Sequence, residues 1–200
     1  MITNIIIVGV GGQGALLASR VLGALALRLG RDVKVSEIHG MAQRGGSVIT
    51  HVRIGEGEPI YAPLVAEGEA DAVLAFEPLE ALRAAPYLVP EGGLIITNTR
   101  PIPPMSVLTG AARYPDDVID KLNETAGGRV TAFDALELAE RLGAPRAVNL
   151  ALLGALAARP VRSDDSVPLS VWESAIADAV PPRTLAANLA VFREAYNQTK

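Results

Sequence analysis

The chain contains no cysteine, and this removes a thiol nucleophile, a disulfide framework and any cysteine-ligated iron–sulfur cluster from its own chemistry. Histidine is nearly as scarce. His39 and His51 are the only two, and no HExxH-like cluster suggests zinc. Aromatic residues make up 4% of the chain although 50% is hydrophobic, so the core has to be assembled from Ala, Val, Leu and Ile. No apolar run approaches the roughly 20 residues that a membrane span requires. The start, Met1-Ile2-Thr3-Asn4, has no cationic leader, so the expectation is a cytoplasmic protein without membrane contact. A net charge of −4 with no basic stripe argues against a nucleic-acid partner. Redox chemistry must therefore come from a cofactor or from another chain.

What is present reads as one α/β domain over 1–200, its carboxy-terminal part, from about 134 to 200, being helical. Ile5 to Val8 is an unbroken apolar run ending at glycine, as in a strand buried on both faces. Leu16, Leu17, Val21, Leu22, Leu25 and Leu29 then recur at helical spacing, with Gly30 as the stop. Val33 to Glu37 reads as a second strand. This β-loop-α-β order opens a Rossmann-like, doubly wound, mainly parallel sheet. Further strands are expected at Ser47–Ile54, Ala72–Phe76, Gly93–Asn98 and Val130–Phe133. Helices are expected to start at Pro78, with Leu79, Leu82 and Leu88 inward, and to cover 116–125, 135–142, 146–158, 170–180 and 183–196. Along the last, Leu185, Leu189, Phe192 and Tyr196 form an apolar side that requires cover, from this domain's own sheet or from a subunit. A homodimer is one expectation for the chain alone.

Two loops carry the chemistry. Gly9, Gly11 and Gly14 match GxGxxG between a strand and a helix, and with Gly12 and Gln13 they offer backbone donors to an anion. Glu37 lies where a dinucleotide fold places its ribose-binding acid. The second loop, Ser36-Glu37-Ile38-His39-Gly40-Met41-Ala42-Gln43-Arg44-Gly45-Gly46-Ser47-Val48, adds Gln43, a guanidinium at Arg44 suited to phosphate or carboxylate, and further N–H groups at Gly45 and Gly46. A helix cap or internal ion pair is the competing role for Arg44. His51 reads as a packing residue on its strand, and His39 as a solvated loop residue. Asn98 and Thr99, before Pro101-Ile102-Pro103-Pro104, wall a pocket or merely begin a linker. Asn149, polar in an apolar helix, needs a partner. No Ser/His/Asp order, paired catalytic carboxylates or GxxxxGK[ST] loop stands out. The chain is equipped to hold an anion, not to perform difficult chemistry alone.

GVGGQG followed by SEIHGMAQRGGSVITHVR, and later NLALLGAL, resembles the gamma-type domain of the 2-oxoacid:ferredoxin oxidoreductases, most closely its indolepyruvate-type members. The resemblance implies a complex that oxidatively decarboxylates an aryl 2-oxoacid to an acyl-CoA and reduces ferredoxin. It further implies that thiamine diphosphate, Mg²⁺ and [4Fe–4S] clusters reside on a larger partner subunit, with no cofactor held by this chain alone. Coenzyme A is the co-substrate expected at the glycine loops and Arg44. Two other readings stay open at this point. One is an independent NAD(P)- or flavin-binding oxidoreductase resting on Gly9, Gly11, Gly14 and Glu37. The other is a non-catalytic scaffold subunit.

Overall fold

The computed structural model describes residues 1–40, 45–159, 161 and 166–200. Its elements run β1 (Ile2–Val10), α1 (Ala15–Arg28), β2 (Asp32–His39), β3 (Ser47–Gly55), β4 (Ala72–Ala75), α2 (Pro78–Ala84), a 3₁₀ turn (Ala85–Tyr87), β5 (Leu94–Asn98), α3 (Met105–Leu108), α4 (Val118–Thr125), β6 (Val130–Phe133), α5 (Ala135–Arg141), α6 (Val148–Ala158), α7 (Leu169–Ala179) and α8 (Pro182–Thr199). The expected strands and helices are present. The expected proline loop leads into a short helix, α3, that periodicity did not mark.

The sheet has the order β2-β3-β1-β4-β5-β6. The ladders from β1 through β4 and β5 to β6 are parallel, but β3 runs antiparallel to both β1 and β2. The sheet is therefore mixed, and β2 is not the neighbour of β1 that the simplest β-α-β unit supplies. The physical reason is loop length. Only positions 40–46 separate β2 from β3, and a parallel return needs a crossover of a dozen or more residues.

Both faces of β1 are covered, as its sequence demands. Ile5 and Ile7 pack into one apolar layer with α1 and α5 to α8. Ile6 and Val8 pack into the other, with α2 and α4. All four are 3% exposed or less, and each such side chain contributes about 1.5–3 kcal/mol on burial. Gly30 ends α1 with φ +68, while the N–H groups of Gly30 and Arg31 turn back to the Leu27 and Ala26 carbonyls. Two details differ from the periodic reading. Leu16, counted with the inner face of α1, is 50% exposed. The inner face of α2 is supplied by Ala81 and Ala84, with Leu82 only partly buried.

The apolar side of α8 docks within the molecule, on other helices and not on the sheet. Phe192 is fully buried and stacks at a tilt on Trp172 of α7, ring centroids 6.0 Å apart. Gly154 of α6 lets the two helices approach, because a Cβ there would collide with the Phe192 carbonyl. Leu185 and Leu189 are partly buried against the same layer.

Candidate functional site: a cleft between the first glycine loop and the hairpin edge

The carboxyl end of β1 meets the amino end of β3, with Val10 opposite Ser47, while His39 at the end of β2 lies opposite Val48. This register brings the two sequence motifs to one edge of the sheet. There the main chain stitches them together, the Gly11 N–H donating to the Gly46 carbonyl at 2.8 Å. Gly12 (φ +101), Gly14 (φ +94) and Gly45 (φ +76) have the left-handed conformations that these turns require. Gln43 and Arg44 lie outside the described residues.

A cleft of about 390 Å³ opens here, lined by Val10, Gly11, Gly12, Gln13, Gly14, Ala15, Leu16, Glu37, His39 and Val48. Gly14 caps α1, whose first turn has no side-chain cap. Among the described residues, the N–H groups of Gly12, Gly14, Ala15 and Leu16 meet no acceptor. Such a helix start, with its positive dipole end, is an anion site in waiting. The exposed Leu16 is accounted for as well, since it forms a wall of the cleft.

The other predicted residues divide by task. Gly9 is a packing position: a Cβ there would lie 2.9 Å from both Gln13 Oε1 and Phe76 Cβ. Gln13 turns its amide inward, accepting from the Val10 N–H at 2.6 Å and donating to the Phe76 carbonyl at 3.1 Å. Its side chain is thus a strut, although its backbone still shapes the cleft. Glu37 and His39 line the opposite side. Glu37 takes only a long contact, 3.5 Å, from the Thr50 hydroxyl, and His39 Nδ1 contacts the Gly40 carbonyl at 2.9 Å. With β3 interposed, Glu37 stands about 4.8 Å farther from the first loop than in a sheet where β2 adjoins β1. A dinucleotide's ribose and pyrophosphate are not matched by that spacing.

His51 is away from the cleft, on the face of the sheet that carries Ile6. Its Nδ1 accepts the Val65 N–H at 3.1 Å, its ring meets Tyr87 edge-on, and burial holds its pKa below the usual histidine value. Asn98, 3% exposed, donates to the Phe76 carbonyl at 3.3 Å and accepts the Ala135 N–H at 3.0 Å. It joins strands to α5 and does not wall a pocket.

A buried carboxylate pair escaped the sequence reading. Glu77, 1% exposed, caps α2 by accepting the Glu80 N–H at 2.9 Å, and also takes the Ile102 N–H at 3.1 Å and the Tyr114 hydroxyl at 2.6 Å. Burial, and then the Glu77 carboxylate, push the Tyr114 phenol above its usual pKa. Glu80 accepts the Ser47 hydroxyl at 2.5 Å and pairs with Arg83. The available signal was Glu77-Pro78-Leu79-Glu80, an acidic cap followed three residues later by glutamate. The pair braces the proline loop and the start of β3. Among the described residues, no group of three or more acidic or histidine side chains is gathered to hold a metal, and none of the described helices is long and apolar enough to cross a membrane.

A mixed α/β sheet presenting two glycine loops at one edge is the architecture of a known class, and a family model described as pyruvate ferredoxin/flavodoxin oxidoreductase matches residues 4–198. The chain belongs to that family. It is 47% identical over 193 residues to the indolepyruvate oxidoreductase subunit IorB of Thermococcus kodakarensis, covering 94% of this chain and 92% of that one. Its fold is similar to that of the gamma subunit of a keto/oxoacid ferredoxin oxidoreductase from Geobacter sulfurreducens, with a TM-score of 0.69, 23% identity and 98% of each chain covered. It is also similar to part of the 2-oxoglutarate:ferredoxin oxidoreductase from Magnetococcus marinus, a structure with 2-oxoglutarate, coenzyme A and succinyl-CoA bound. There the TM-score is 0.68 at 18% identity, covering 99% of this chain and 31% of that one. At those identities the two structures speak for the fold alone.

Proposed function

We propose that this chain is the non-cluster subunit of an indolepyruvate-type 2-oxoacid:ferredoxin oxidoreductase and that its cleft binds the phosphate-bearing part of coenzyme A. The observation that carries the reading is that Gly12, Gly14, Ala15 and Leu16, whose N–H groups meet no acceptor among the described residues, line a cleft rimmed by the second motif. The helix end takes a phosphate. Glu37, across the cleft, accepts from a ligand hydroxyl or amino group and keeps the phosphate on the helix side by repulsion. Arg44, three residues before Ser47, is the motif's cation for a second phosphate.

Decarboxylation and electron transfer are assigned to a larger partner subunit with thiamine diphosphate, Mg²⁺ and [4Fe–4S] clusters. A chain without cysteine has no thiolates for a cluster. Ferredoxin is reduced through that partner, in the cytoplasm. The spacing of Glu37 from the first loop disfavours an independent dinucleotide enzyme.

The test is reconstitution. The isolated chain is expected to show no 2-oxoacid-dependent dye reduction, and addition of the partner subunit to restore it. In the complex, Leu16→Trp fills the cleft from an exposed position, so KM for coenzyme A should rise at least about tenfold, a loss of roughly 1.4 kcal/mol of binding, with KM for indolepyruvate unchanged. Coenzyme A kinetics indifferent to that tryptophan would place the ligand elsewhere.

A further inference from the structure

We propose that Asn149 is a ligand-binding residue, its side-chain N–H donating to an oxygen of a phosphate or pyrophosphate group seated at the amino end of α1. The inference rests on the coenzyme A reading of the cleft and extends the site to a helix far along the chain.

Asn149 is 4% exposed. Its Oδ1 accepts the Leu150 N–H at 2.9 Å, and this fixes which end of the amide points outward. Among the described residues Nδ2 then meets no acceptor. The nitrogen is not sealed off: among the described residues the fully buried side-chain polar atom without a partner is His51 Nε2, so Asn149 Nδ2 keeps access to solvent although the residue as a whole is buried. An α6 built otherwise from Leu, Ala, Val and Gly would pack more favourably with leucine at this position, unless the amide has a use.

The direction of the amide supplies the use. Nδ2 lies 2.9 Å from the place where a Cβ on residue 14 would sit. Gly14 caps α1 and lines the cleft. Glycine is thus required there twice, once for φ +94 and once to leave the Asn149 amide uncovered. Asn149 is also the second residue of α6. The amino ends of two helices therefore converge on Gly14, each with a positive dipole end. Three N–H groups from Gly14, Ala15 and Leu16 and one from Asn149 make a cluster of donors on the helix side of the cleft, with Glu37 on the opposite side. That selects an anionic oxygen cluster over an ammonium or an apolar group.

The experiment is calorimetric titration of coenzyme A into the reconstituted complex, with wild type, Asn149→Asp and Leu16→Trp compared. Aspartate is nearly isosteric, still accepts the Leu150 N–H and suits a first helical turn, so the fold is kept. It replaces the donor with a negative charge. Affinity for coenzyme A should fall about tenfold or more, with KM for coenzyme A rising and KM for the 2-oxoacid constant. Should the Asp variant lose its unfolding transition, Asn149→Ser keeps an acceptor for Leu150 without the reach of the amide, and a loss of about threefold or more is expected. Unchanged affinity in a folded Asn149 variant, with Leu16→Trp still weakening the complex, would overturn this proposal and leave the cleft reading intact. Unchanged affinity in both would remove the two together.

Discussion

At the scale of single residues, the polar side chains near the cleft act mostly on the protein itself, and some of their partners, such as Phe76 for Gln13, lie too far along the chain for spacing to reveal. Gln13 reads as a loop donor, but its amide is used up on Val10 and Phe76. Gly9 reads as part of a phosphate motif, and the structure adds a steric reason for it. His51 was legible as a packing residue, and its burial has a measurable consequence. Its pKa is lowered in the folded protein, so the unfolded chain, near 6.5, takes up a proton that the native state resists. The stabilising contribution is present in full above about pH 6.5 and is lost as pH falls from there toward the depressed native value. Urea midpoints recorded between pH 8 and 5 should fall more steeply for wild type than for His51→Asn, whose carbonyl also accepts the Val65 N–H. Parallel curves would mean that His51 does not control this slope.

At the scale of elements, hydrophobic periodicity located nearly every strand and helix, because burial acts on i, i+2 and i, i+3/i+4 patterns that are local. Pairing is not local, and there the reading slipped. The short span between β2 and β3 already required an antiparallel return, but Glu37 suggested a dinucleotide sheet and drew β2 toward β1. Caps were legible in principle. The Glu77–Glu80 brace holds α2, the proline loop and the start of β3 through one carboxylate pair. Glu77→Ala would strand the Glu80 and Ile102 N–H groups and the Tyr114 hydroxyl, at a cost of roughly 3 kcal/mol or more. Chemical denaturation should register that loss, and limited proteolysis should cut first between 101 and 114. A midpoint close to wild type would show that water satisfies those donors.

At the scale of the molecule, the two apolar layers and the docking of α8 on α6 and α7 bury a core within this one chain, and the proposed division of labour leaves cluster chemistry, for which a chain without cysteine has no thiolates, to another subunit. Fold class and the position of the glycine loops could be read in advance. The cleft's boundaries could not, because they depend on which strand lies beside β1. Ligand linkage offers a check on the whole domain. Coenzyme A at about 100 times its Kd should stabilise the isolated chain by ~2.7 kcal/mol, seen as an upward shift of the urea midpoint that Leu16→Trp abolishes. No shift in wild type would assign the principal contacts to the partner.

The Phe76 carbonyl just after β4 accepts from both Gln13 and Asn98, so the two amides beside the β1–β4 boundary, where open α/β sheets usually admit their ligands, are engaged with the main chain. The cleft itself takes its lining from the first glycine loop, the start of α1 and the ends of β2 and β3. Any attempt to redesign what the cleft accepts should therefore start at the ends of β2 and β3, where Glu37, His39 and Val48 line it, and leave the Phe76 bracket untouched.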